Sequence, residues 1–290
     1  MMLSASSQAV ALALGSAAVW GTSDFTGGFV TRRASPVVIV AIAHGFGMCL
    51  LLILAAALRL PFPTGHTVLY GVLSGVTGGV GLMLFYRALS LGSMGLTSAL
   101  SGVLTAAIPV IVSFFREGHP TTLQLIGFGV AAIAIWLVAY TQGGTVHPHG
   151  LGLGIVAGLC FGLLFVLLQK ASQEGVIWGL TLARISSTSA AVGIAFCLWL
   201  ASRGNAAKKP PIEWKSILPL AALAGFLDTL GNVLYVLSSL KGRLDVAAVL
   251  SSLYPAGPIL LGVWILKERT TRMQTVGMVL ALVAVALISL

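Results

Sequence analysis

FYRALSLGSMGLTSALSGVLTAAIPVI (85–111) and LYVLSSLKGRLDVAAVLSSLYPAGPIL (234–260) read as two copies of one stretch. At a constant offset Tyr86 aligns with Tyr235, Ser90 with Ser239 and Pro109 with Pro258. The likeness runs on into REGHPTTLQLIG (116–127) and LKERTTRMQTVG (266–277), which pair Glu117 with Glu268, Gln124 with Gln274 and Gly127 with Gly277. Upstream, Gly21 pairs with Gly162 and His44 with Arg184. The offset drifts between about 140 and 151 residues, so the copies differ in loop length. The chain therefore divides into residues 1–143 and 144–290, each one repeat.

Composition says where these repeats live. Of 290 residues, 58% are hydrophobic and only 8% are charged, and mean hydropathy is +1.03. A water-soluble domain carries about 25% charged residues, so this chain could not cover its own surface in water. A membrane span needs about 20 apolar residues. Polar, Pro and Gly punctuation predicts ten of them, over 8–30, 37–58, 66–89, 95–115, 122–141, 150–171, 178–200, 217–240, 246–266 and 272–290. The formal charge of +9 comes from Lys and Arg scattered over short loops, the pattern of span edges. No basic stripe addresses nucleic acid. Cys49, Cys160 and Cys197 lie in apolar runs without a CxxC pair and read as small hydrophobes. The expected fold is an all-α integral membrane protein. Five spans per repeat is an odd number, so the two repeats take opposite orientations. Inverted repeats with a site at their interface are the architecture of secondary transporters.

A family resemblance rests on particular residues. They are Trp20-Gly21 in the first span, YRAL at 86–89, the small-residue stretch ending at Pro109, and Glu117 before QLIG. In the second repeat they are Arg184, Tyr235, Pro258 and LKERTT…QTVG around Glu268. On these the chain resembles the drug/metabolite transporter superfamily, with two EamA-type repeats of five helices, over nearly its whole length. The resemblance implies a ten-helix carrier, often an exporter of amino acids or other small metabolites. It also implies the plasma membrane of a prokaryote. His44 stands where such a repeat usually has arginine in its second helix.

Asp24, His44, Arg184 and Asp228 lie well inside apolar runs. A charge there costs about 3 kcal/mol or more, and is normally kept only against a cavity or a partner. Asp228, Asn232 and Tyr235 are spaced i, i+4, i+7 and share one helix face. That face reads as a cavity wall, or as a hydrogen-bonded seam between helices. Trp20 and Asp24 are i, i+4 on the first span, so an aromatic ring and a carboxylate could hold a cation together. Alternatively Asp24 pairs with Arg184. Arg184 is read as an internal counter-ion to Asp24 or Asp228, or as a ligand for a substrate carboxylate. Asp24 and His44 are the proton-coupling candidates, since imidazole titrates near neutral pH. Tyr86 joins the candidate substrate contacts as the repeat partner of Tyr235. Gly71/Gly75/Gly79 and Gly154/Gly158/Gly162 are ladders that let helix backbones approach closely.

No HExxH, Walker motif, nucleophile elbow or metal-ligand cluster occurs. The chain is expected to be no enzyme and to need no cofactor or metal. Its partners are the lipid bilayer, a small-molecule substrate and protons, with the chain alone or as a homodimer. The expected function is alternating-access efflux of a small amino acid or amine-like metabolite. The cavity is expected between the first, third, fourth, sixth, eighth and ninth spans. The alternatives are proton-coupled uptake of a cationic amine, an intramembrane enzyme and a non-transporting scaffold.

Overall fold

A computed structural model describes residues 5–31, 33–91, 94–139, 148–202, 213–257, 261 and 271–289. These form ten helices: α1 (Ala5–Val30), α2 (Pro36–Ala57), α3 (Gly65–Ser90), α4 (Met94–Arg116), α5 (Thr122–Ala139), α6 (Pro148–Ala171), α7 (Val176–Ser202), α8 (Trp214–Lys241), α9 (Leu244–Ser251) and α10 (Arg272–Ser289). No strand occurs among the described residues. Among the described residues five helices, α2, α3, α6, α7 and α8, are long and apolar enough to cross a membrane. At 1.5 Å per residue the 22 residues of α2 reach about 33 Å, just over a bilayer's apolar core.

Local chemistry sets the helix starts. Ser35 caps α2 by accepting from the Val38 amide, and Pro36 fills the first helical position, where its missing N–H costs nothing. The repeat-paired glutamines belong to two copies of one capping box. Thr121 accepts from the Gln124 amide at 3.2 Å while Gln124 Oε1 accepts from the Thr121 amide at 3.1 Å. Thr271 and Gln274 do the same at 3.2 and 2.9 Å. Thus α5 and α10 begin by the same device.

The ninth predicted span, 246–266, is not one continuous helix in its described part. Helix α9 ends at Ser251, and a turn follows over 252–255. Pro255 explains the break: it has no N–H to donate and biases Tyr254 away from helical backbone. Residues 258–260 and 262–270, including Pro258 and Glu268, lie outside the described residues.

The main contacts between the halves come in exchange pairs. Helix α3 meets α6 as α8 meets α1; α4 meets α6 as α9 meets α1; α3 meets α7 as α8 meets α2. Equivalent helices also meet directly: α2 with α7, α4 with α9, α5 with α10. Paired residues perform equivalent tasks. A Cβ on Gly21 would meet the Gly257 and Tyr254 backbone, and one on Gly162 would meet the Leu104 and Thr105 carbonyls. Gly162 seats α4 of the other half, and Gly21 seats the segment that follows α9.

Small residues make the seams. Gly71, Gly75 and Gly79 form the bed for Leu182, Ala183 and Ser187 of α7. Along α1 and α8, Ser238 donates to Ala9 O (2.7 Å), Ser16 to Gly231 O (2.9 Å) and Ser23 to Ala224 O (2.9 Å). The outer surface instead shows large apolar side chains, among them Ile53, Phe196, Leu198 and Leu282. Apolar outside with serine, glycine and ions inside is what a lipid solvent selects.

Three ties join the halves where α2 passes into α3, α4 into α5, α6 into α7 and α8 into α9. Thr64 and Thr67 donate to Glu174. Arg243 donates to Gly118 O (2.9 Å) and pairs with Asp245 (2.8 Å), while Glu117 accepts from the Leu244 amide (3.0 Å). Lys241 donates to Gln8 (3.2 Å).

Candidate functional site: a charged cavity between the halves

Helices α2, α7 and α8 bring three ionisable groups onto one point. Asp228 Oδ2 lies 2.6 Å from Arg184 Nη2 and 3.4 Å from His44 Nε2. The Arg184 contact is an ion pair without the alignment of a hydrogen bond. The other side of His44 stands 2.9 Å from Ser187 Oγ. Asn232, one turn beyond Asp228, donates to its carbonyl (2.6 Å) and to its Oδ1 (3.3 Å). His44 and Arg184 are repeat partners, so equivalent positions of the two halves converge on one carboxylate. Close helix packing makes this possible, because Gly225 of α8 lies against the backbone of Ala43.

Two adjoining cavities of about 50 Å³ each open here. That is room for a few water molecules apiece. The first is lined by His44, Arg184, Ser187, Asp228 and Asn232 with the glycines of α3. The second shares Leu82, Phe161, Leu164, Asp228 and Asn232 with it, and adds Trp20, Asp24, Thr105, Phe165 and Tyr254. Its walls come from α1, α3, α4, α6, α8 and the turn after α9. Three pairs of repeat-equivalent residues line it: Trp20 and Phe161, Asp24 and Phe165, and Thr105 and Tyr254. The second cavity therefore draws matching positions from both repeats.

Asp24 differs from Asp228. Among the described residues it makes no ion pair and no hydrogen bond, and Arg184 is engaged with Asp228 instead. Trp20 stacks on Phe165 with ring centres 5.2 Å apart. The Tyr254 hydroxyl is buried without a hydrogen-bond partner among the described residues, on a residue only 6% exposed.

Tyr86 and Tyr235 stand outside both cavities. Tyr235 is wholly buried: its hydroxyl donates to Phe165 O at 3.1 Å and its ring stacks on Phe165. Tyr86 is buried with its phenol against Gly27 of α1. The i, i+7 spacing places Tyr235 on the Asp228 face, but over seven residues α8 has climbed away from the cavity and against α6. Each tyrosine packs its repeat's third helix onto its first. The face is thus cavity wall at Asp228 and Asn232 and helix seam at Tyr235.

Sequence reading passed over Phe161, Phe165, Thr105, Tyr254 and Ser187. The first four were within reach, because the repeat offsets carry Trp20 and Asp24 onto Phe161 and Phe165, and Thr105 onto Tyr254. Ser187 carries no signal in the sequence beyond lying one turn after Arg184.

Comparison with known proteins agrees with this architecture. A solved crystal structure superposes with a TM-score of 0.74 at 16% identity, covering 97% of this chain and 98% of that one, which establishes a shared fold. An uncharacterized protein of Methanocaldococcus jannaschii is 31% identical over 99 residues, 34% of this chain and 70% of that protein. The model of the EamA-like transporter family matches twice, over residues 7–140 and 149–290. The chain belongs to the EamA-like transporter family and is a multi-pass membrane transporter of the drug/metabolite type, working in a lipid bilayer on a small-molecule substrate.

Proposed function

We propose that the chain is a secondary carrier that moves a small polar organic solute, an amine or amino acid, by alternating access, in the direction of efflux. Ten spans arranged as two inverted five-helix repeats, 1–143 and 144–290, perform the exchange. The observation that carries this reading is the pair of adjoining cavities between the halves, lined by Asp24, Arg184, Asp228 and His44 in an otherwise apolar bundle. The exchange pairing of helix contacts supports it, because a two-fold relation lets the halves swap roles as the cavity turns from one side to the other. Nothing in the cavity calls for a nucleotide, so a solute or ion gradient supplies the energy. The prokaryotic plasma membrane is the setting that fits such a carrier.

Asp24 is the group on which substrate and proton compete. An unpaired carboxylate in an apolar bundle is costly, and a proton or a bound cation relieves that cost. This observation favours a second direction of use, proton-coupled uptake of a cationic amine. Asp24→Asn keeps the size and removes the titration. In proteoliposomes it abolishes transport or flattens its pH dependence, while the protein stays monodisperse in detergent. Unchanged flux with an unchanged pH profile makes Asp24 structural and removes the carboxylate from the mechanism.

A further inference from the structure

We infer that the cavity selects against a carboxylate on its substrate: it takes a compact organic cation with an apolar body, and not the corresponding zwitterionic amino acid. The inference rests on the carrier reading above and sharpens its substrate class.

A zwitterion needs a free anion and a free cation on the cavity wall. The free anion is present, because Asp24 has no ionic or hydrogen-bonding partner among the described residues. The free cation is absent from the described walls. Arg184 is already 2.6 Å from Asp228, and His44 faces that same carboxylate at 3.4 Å. A substrate carboxylate entering here would compete with Asp228 for Arg184, weakening the pairing of that anion among apolar helices. It would also approach Asp24, a like charge. Both costs fall on the amino acid and neither on the amine, and rejection by such a repulsive element is strong.

The remaining walls suit the rest of an amine. Trp20, Phe161, Phe165 and Tyr254 line the Asp24 cavity, and aromatic side chains attract a cation and accept an apolar body. The Tyr254 hydroxyl, buried beside this cavity and without a hydrogen-bond partner among the described residues, can accept a hydrogen bond from an ammonium group. The side chain at position 24 is Phe165 in the other repeat. The repeat-equivalent positions are therefore unlike, a carboxylate on α1 against an aromatic ring on α6, which suits a ligand that is cationic at one end only.

Two matched pairs test the inference, each differing by a carboxylate: isobutylamine against valine, and phenethylamine against phenylalanine. Binding to the purified full chain in detergent is measured by titration calorimetry, and flux in proteoliposomes. At least one amine is expected to bind tenfold or more tighter than its amino acid. Asp24→Asn is expected to weaken that amine tenfold or more, and Tyr254→Phe severalfold, with both variants monodisperse. Equal or tighter binding of the amino acids overturns the inference, as does binding of neither class, or amine binding indifferent to Asp24→Asn. The two readings separate cleanly. Amino-acid flux without amine preference overturns the inference and leaves the carrier standing. Amine binding without any flux upholds the site and overturns the carrier.

Discussion

At the scale of single residues, the Arg184–Asp228 pair is an interaction whose loss from one side costs more than its removal from both. Arg184 and Asp228 are 7% and 19% exposed at their side chains, so either one left alone is a charge stranded among helices. Arg184→Met and Asp228→Asn are each expected to lose about 3 kcal/mol of stability. The double variant is expected to lose at least about 1 kcal/mol less than the sum. Reversible unfolding in mixed micelles measures this, and additive losses would show that the pair is not coupled. Glu174 gives a second residue-scale test, outside the spans. The Thr64 hydroxyl first, and then that of Thr67, hold its carboxyl below the usual range. A depressed folded value means that the stabilisation is present above the unfolded value of 4.5 and is lost as pH falls through the folded one. The melting temperature of the parent should exceed that of Glu174→Gln at pH 7, and the gap should close below pH 4.5. A gap independent of pH would disprove the ionic part of the tie.

At the scale of helices, glycine decides how near α2 can come to α8. A side chain at Gly225 would strike the backbone of Ala43, one residue before His44. Gly225→Leu is therefore expected to cost about 1–3 kcal/mol by overpacking and to move His44 away from Asp228. At Gly193 of α7 no described residue stands in the way of a side chain, so Gly193→Leu should be close to neutral. Thermal unfolding of the two variants side by side provides the check; equal shifts would mean that the α2–α8 seam yields freely. The glycine ladders of α3 and α6 were recognisable as packing seams from their spacing. Which helix each one receives was not, because spacing along one helix does not name its neighbour. The capping boxes were present in the text as TTLQ and TTRMQ, and the break after α9 as a lone Pro255.

At the scale of the whole molecule, the ties at Glu174, Arg243 and Lys241 hold the halves together where α6 meets α7 and α8 meets α9. Under alternating access, opening the cavity at that end requires them to part. We expect Thr64→Cys with Glu174→Cys, in a background lacking Cys49, Cys160 and Cys197, to lose flux when bridged by a short reducible thiol cross-linker. Flux should return on reduction, and each single cysteine should transport throughout. Sustained flux in the bridged protein would place the moving gate elsewhere.

The membrane setting, the duplicated helices and the small set of intramembrane charges were determined by the sequence alone. Each is a property of composition or of offset along the chain, and lipid tolerates few alternatives for such a pattern. The tertiary structure decided who meets whom. It joined Arg184 and His44 to Asp228, left Asp24 alone beside Trp20, and withdrew Tyr86 and Tyr235 into helix seams. Those outcomes depend on the rotation and height of each helix against its neighbours. A few ångströms there separate an ion pair from an open binding site, and no spacing within a single helix records them.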